Sequence, residues 1–278
     1  MKRLFARTVL PALALGTSLS GCAYIIDDVM DEVDGVPLAE LDTSGSAPSE
    51  IRANGPDDVV ITQGDSWSIS VDGDQEAADA LRFDLEGDRL KISRDKGIFD
   101  GRGTAVVRIT MPAPSELTTA GSGSITADAL ASDAVIEIKG SGGITVSSVE
   151  TDDLDIDIKG SGKVALSEVA ADEFSIEMKG SGNVEAAGTA KRLEVDIKGN
   201  GNVMLEKLTA DDVTIDIKGN GNVRLASDGK VHADIKGSGD IVVTGEATCT
   251  LDKKGSGSLS CEPAQQAAAT EPGGAEAE

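Results

Sequence analysis

A phrase of the form Lys-Gly-Ser/Asn-Gly returns seven times in the second half of this chain, and its spacing leaves few folds open. The copies begin at Lys139, Lys159, Lys179, Lys198, Lys218, Lys236 and Lys254, at intervals of 20, 20, 19, 20, 18 and 18 residues. "AGSGS", beginning at Ala120, stands 19 residues before the first and makes an eighth copy. A fixed period of this size points to stacked repeats.

The residues around each phrase supply the secondary structure. One position before the Lys stand Ile138, Ile158, Met178, Ile197, Ile217 and Ile235, and then Lys253. Three before are Ile136, Ile156, Ile176, Val195, Ile215, Ala233 and Leu251. Five after are Ile144, Val164, Val184, Val203, Val223, Ile241 and Leu259, and the column seven after runs from Val146 to Val243 and ends on Cys261. Apolar and polar residues thus alternate on both sides of the phrase, the period of strands with one buried face. Short polar stretches such as "ADE" and "TADD" read as turns between copies. Each copy is a strand, a Gly-x-Gly corner, a second strand and a polar turn. Without a helical segment, about 20 residues make one coil of a parallel β-helix. A lone coil leaves its strand edges unpaired. Stacking pairs each strand with the coils on either side and turns the aliphatic positions into columns of one core. The expected fold class is all-β, a β-solenoid.

The paired glycines are Gly140 and Gly142, Gly160 and Gly162, Gly180 and Gly182, Gly199 and Gly201, Gly219 and Gly221, Gly237 and Gly239, and Gly255 and Gly257. A tight corner needing positive φ, or close packing between coils, explains them. A phosphate cradle would need a helix N-terminus after the turn, and here a Val-rich strand follows. Two residues before each Lys is an acid: Glu137, Asp157, Glu177, Asp196, Asp216, Asp234 and Asp252. Period two places acid and Lys on one outward face, so stacking sets a column of acids beside a column of lysines. A Lys beside every acid disfavours a metal site. Two positions after the Lys comes Ser or Asn at every copy, and Asn183, Asn202 and Asn222 stack two residues further on. Such columns satisfy backbone groups at corners, or offer a polar stripe to a partner. His232, the single His, falls on an outward position, so neither a Ser-His-Asp arrangement nor a His-based metal cluster can form. No cofactor is implied.

The chain opens "MKRLFARTVLPALALGTSLSGCAY", with a basic start, an apolar stretch too short to span a bilayer, and the box "LSGC". This resembles a bacterial lipoprotein signal, which implies cleavage before Cys22 and a lipid on its thiol, tethering the protein to a membrane. Ala23 stands where Asp would mark inner-membrane retention, so outer-membrane sorting in the cell envelope is expected. Loss of residues 1–21 removes three of 25 Lys+Arg and none of 49 Asp+Glu, leaving 22 against 49 and a formal charge of -27. That field excludes nucleic acid as a partner. Aromatics make up 2% of residues, which disfavours a deep carbohydrate cleft lined by stacking rings. In an exported, oxidising setting Cys249 and Cys261 are expected to form a disulfide, in the coil where Lys253 ends the apolar column.

The organisation read from these features is a signal peptide over 1–21, an acidic tether over 22–48, an N-terminal β segment over 49–118, the repeats over 119–261 and a disordered tail over 262–278. The N-terminal segment is expected to cap or abut the coils, with a hairpin across Glu86–Gly87–Asp88 and one helical turn in "QEAADAL".

"VVITQGDSWSISVDG", "LEGDRLKISR", "AVVRITMP" and "LTTAGSGSITA", in that order, resemble the putative auto-transporter adhesin, head GIN domain family over roughly residues 50–261. The resemblance implies an exported protein with a right-handed parallel β-helix, and brings no catalytic residues with it. The expected function is a non-catalytic envelope scaffold, adhesin-like, that binds an unknown protein or glycan partner. The alternative is a polysaccharide-active β-helix enzyme, a lyase or hydrolase, needing clustered carboxylates with an Arg, Lys or Ca in a groove. A blander reading is a structural envelope protein without a specific ligand.

Overall fold

The computed structural model describes residues 35–95 and 103–263. The signal segment, Cys22, the first part of the acidic tether and the tail from 264 onward lie outside the described residues. Within them, strands β1 (Glu50–Gly55), β2 (Asp58–Gln63), β3 (Ser68–Gly73), β4 (Leu81–Glu86), β5 (Arg89–Arg94), β6 (Ala105–Met111), β7 (Glu116–Gly121), β8 (Ser124–Leu130) and β9 (Ala134–Gly140) come first, with helix α1 (Gln75–Ala80) after β3. Then follow β10 (Gly143–Gly160), β11 (Lys163–Gly180), β12 (Asn183–Gly199), β13 (Asn202–Gly219), β14 (Asn222–Ala226), β15 (Lys230–Gly237), β16 (Asp240–Thr244), β17 (Thr248–Gly255) and β18 (Ser258–Glu262). All belong to one 18-stranded sheet wound into a parallel β-solenoid.

Register follows the repeat phrase. Lys139 pairs with Lys159, Lys159 with Lys179, Lys179 with Lys198, and so on to Lys236 with Lys254. The aliphatic columns point inward: Ile138, Ile158, Met178, Ile197, Ile217 and Ile235 are all fully buried, as are Ile144, Val164, Val184, Val203, Val223 and Ile241. Alternation thus became columns because parallel pairing keeps equivalent residues above one another.

One expectation is corrected. The polar stretches between copies are strands, not turns. β10 runs unbroken from Gly143 to Gly160, and its inward residues are Ile144, Val146, Val149, Thr151, Leu154, Ile156 and Ile158. The step widens from two residues to three at Val146–Val149 and again at Thr151–Leu154, so the strand bends twice. A coil therefore has three straight runs and three bends. The extra run carries Val149 and Thr151, Val169 and Ala171, Gly188 and Ala190, and Leu208 and Ala210 in successive coils. The last two coils lack it. There the chain goes from β14 to β15, and from β16 to β17, through short turns. The missing run is why the period drops from 20 residues to 18.

The N-terminal segment both joins the stack and closes one end of it, so the boundary at 118/119 is not a structural one. β1 and β2 form a coil of their own, in parallel register with β7 and β8 and with Gly55 against Gly121. On their other side lie β5 and β6, also parallel, so spatial order departs from chain order. β4 then pairs antiparallel with β5, through the expected hairpin at Gly87–Asp88, and β3 pairs antiparallel with β6. α1 falls within the expected helical turn, its N-terminus capped by Asp74 accepting from the Ala77 amide. The described part of the acidic stretch is docked against this lobe, not free. Val36 bridges Phe83, Leu38, Leu41 and Ala47 pack on the core, and Trp67 Nε1 donates to the Gly45 carbonyl at 3.1 Å.

Candidate binding ridge

Each corner is held by its glycines and by the coil before it. Gly160 has φ +134°, and a Cβ there would collide with the Gly140 carbonyl. At Gly182 a Cβ would lie 2.8 Å from the Gly162 carbonyl oxygen and 2.9 Å from Ile158 Cγ2. The first glycine of each pair therefore serves both backbone shape and close approach, and the second serves close approach. The Ser161 amide donates to the Gly140 carbonyl at 2.8 Å, and Lys163 donates to Gly142 at 3.1 Å. β11 begins directly after this corner, so no helix N-terminus points at it.

The acid and Lys columns meet as ladders, within a coil and between coils. Lys159 Nζ lies 2.7 Å from Asp157 and 3.3 Å from Glu137 of the preceding coil. Lys179 lies 2.7 Å from Glu177, and Lys198 lies 3.0 Å from Asp196 and 3.2 Å from Glu177. Hydrogen bonds from Lys179 and then Lys198 hold the Glu177 carboxyl below its ordinary value. At Glu137 burial works upward, but hydrogen bonds from Lys139 and Lys159 outweigh it and the net shift is down. Asp157 raises Lys159, Asp196 raises Lys198 and Asp234 raises Lys236, each chiefly by a side-chain hydrogen bond. Exposed pairs of this kind contribute little singly. Alternating signs along the stack remove the repulsion that a column of one charge would carry.

Beside the lysines runs the Ser/Asn column. Asn220 Nδ2 donates to Asn200 Oδ1 at 2.9 Å, and Ser238 and Ser256 hydroxyls lie 2.9 Å apart. A parallel column two residues on joins Asn183, Asn202 and Asn222 amide to amide at 3.2 and 3.0 Å. Each side-chain amide in these ladders has donor or acceptor capacity beyond its ladder bonds. Acids, lysines and amides together form a ridge that follows the corners from coil to coil.

A groove of about 520 Å³ lies over the third run, which the alternation did not reveal. Its lining includes the buried Thr151, Ala171 and Ala190, the exposed Glu150, Asp152 and Asp211 and the half-buried Asp172, with Lys191 2.5 Å from Asp172. The signal in the sequence was length: the coils that hold this run are one or two residues longer than the last pair. No group of three His, Cys, Asp or Glu stands where it could hold a metal among the described residues.

The remaining candidates lie at the C-terminal end. Cys249 and Cys261 form a disulfide with Cα atoms 6.7 Å apart. Their columns face inward in earlier coils, yet here Cys249 is half-buried and Cys261 exposed, because no described coil covers them. His232 is exposed, with Nδ1 2.9 Å from the Thr250 hydroxyl. Cys22 lies outside the described residues.

Packed inward columns and an outward ridge define a repeat-built parallel β-solenoid. The chain belongs to the putative auto-transporter adhesin, head GIN domain family, whose model matches residues 47–247. Among solved structures, a protein of Parabacteroides distasonis ATCC 8503 called a putative lipid binding protein is similar, at 26% identity and a TM-score of 0.70, over 78% of this chain and 93% of that one. A putative adhesin of the same organism shares 19% identity at a TM-score of 0.71, covering 79% and 93%. One from Parabacteroides merdae ATCC 43184 shares 20% at 0.71, again covering 79% and 93%. Among curated proteins none matches.

Proposed function

We propose that the chain is an exported, non-catalytic binding scaffold of the cell envelope, held to the outer membrane by a lipid on Cys22, whose corner ridge meets its partner. The observation that carries this reading is the in-register repetition of the ridge. The same outward chemistry returns at Lys139, Lys159, Lys179, Lys198, Lys218, Lys236 and Lys254, which suits an extended protein or glycan contacted at several coils. Family membership and the likeness to adhesins support it. The lipid-binding description of the Parabacteroides distasonis relative would have to use the outside of the stack here, because Ile, Val and Leu columns fill the inside.

The enzyme reading has less behind it. The groove gathers carboxylates, but its lining includes no Arg, and its Lys191 is engaged by Asp172.

Ridge binding is tested by replacing Asn183, Asn200, Asn202, Asn220 and Asn222 with Ser, the residue that fills equivalent corners at Ser161, Ser181 and Ser258. Native chain and variant are compared for attachment to a glycan array and to intact cells. Loss of attachment with an unchanged circular dichroism spectrum is expected. Equal attachment by the variant excludes the Asn columns of the ridge as the contact. Incorporation of labelled fatty acid into the native chain, and none into Cys22→Ala, tests the anchor.

A further inference from the structure

We infer that Lys253 keeps the C-terminal end of the stack from pairing with a second copy of the chain. At the other six Lys copies its column is Ile or Met and fully buried, and its register partner Ile235 belongs to that core. Lys253 itself is exposed, and its Nζ turns back toward the Gly257 carbonyl at 3.5 Å.

The two ends of the stack differ. The N-terminal end finishes on antiparallel strands, with β3 on β6 and β4 on β5, and Val36 bridges β4. At the C-terminal end β17 and β18 pair on one side only among the described residues. Cys249, Leu251 and Leu259 stay partly exposed there, although the columns they continue are buried in earlier coils. Open strand edges of this kind recruit further strands. The edge that β17 leaves open among the described residues complements itself in a twofold pairing, β17 antiparallel to its twin.

That pairing has a natural register. Among the described residues no coil follows Asp252 and Lys254, and the Asp252 side chain, with His232 Nε2 at 4.0 Å, is 80% exposed. An antiparallel twin in which Asp252 faces the second copy's Lys254 satisfies both pairs at once. In the same register residue 253 faces itself. Two lysines then meet on the apolar side of the sheet, which like-charge repulsion and desolvation both oppose. An inward-pointing charge in an edge strand is a known means of blocking such pairing.

The test uses the chain from residue 22 onward with Cys22→Ser, so that no lipid drives association; the described stack, residues 35–263, is complete in it. Analytical ultracentrifugation compares the parent with K253I, K253M, K253E and K254I, each checked by circular dichroism. Parent, K253E and K254I are expected at the monomer mass, and folded K253I or K253M at twice that mass. A parent that is already dimeric, or folded K253I and K253M that stay monomeric, overturns the inference. Assemblies larger than dimers overturn the twofold geometry.

Discussion

Asp57 and Arg94 form a two-point ion pair near the N-terminal end of the stack, with each side chain 7% exposed. Asp57 also accepts the Ala105 amide at 2.7 Å, so one carboxylate ties the corner after β1 to the end of β5 and the start of β6. Arg94→Met leaves that carboxylate buried without its cation. The expected loss is about 3–5 kcal/mol, read from thermal or denaturant unfolding. Asp57→Asn combined with Arg94→Met recovers part of it, because the two effects are coupled. A loss below about 0.5 kcal/mol, the range of neutral surface changes, contradicts this role.

Gly160→Ala places a side chain at φ +134° against the Gly140 carbonyl. Backbone strain alone costs about 1–3 kcal/mol, and the collision with the neighbouring coil adds to it. Ser161→Ala, one residue on and exposed, changes stability by no more than about 0.5 kcal/mol. Equal effects from the two substitutions count against the corner reading of the glycines.

The charge ladder gives stability two pH limits. Glu137 and Glu177 have folded pKa values below the ordinary 4.5, so their contribution is present above that value and is lost as pH falls through the folded ones. Lys159, Lys198 and Lys236 are raised above 10.5, so theirs is full below that value and is lost as pH rises through the folded ones. Acid also relieves the repulsion of a chain with formal charge -24, so the ladder is isolated by difference. At low salt, Glu177→Gln lowers the melting temperature at pH 7, and the gap closes toward pH 3. High salt shrinks the gap at pH 7. A gap independent of both pH and salt speaks against the ladder.

The Cys249–Cys261 disulfide closes a loop of sequence separation 12 in the last coil. In the chain-entropy model a loop of that size contributes about 3 kcal/mol. Cys249→Ser with Cys261→Ser is expected to speed amide hydrogen exchange in β17 and β18 while β10 to β13 keep their protection. Uniform protection in both proteins would show that the disulfide does not secure this end.

Legibility followed chain position. The columns flanking each Lys could be read because a parallel stack carries any fixed offset from the corner straight into a column, as from Ile158 to Met178 to Ile197. The third run could not be read that way. It offers only two inward residues per coil, and Thr151, Ala171 and Ala190 are as small as turn residues, beside acids at Glu150, Asp152 and Asp172. The N-terminal order left no trace at residue level. β5 stacks on β1 through pairs such as Glu50 with Arg89, joined by an ion pair at 2.7 Å, but no period links the two segments. The Asp57–Arg94 pair went unseen for the same reason.

The most direct test of an exported scaffold that presents its ridge outward is to treat intact cells with a membrane-impermeant amine reagent and map the modified lysines by mass spectrometry. The account predicts modification along the column at Lys139, Lys159, Lys179, Lys198, Lys218, Lys236 and Lys254 without breaking the cells. Modification of these lysines only after the outer membrane is ruptured would contradict it.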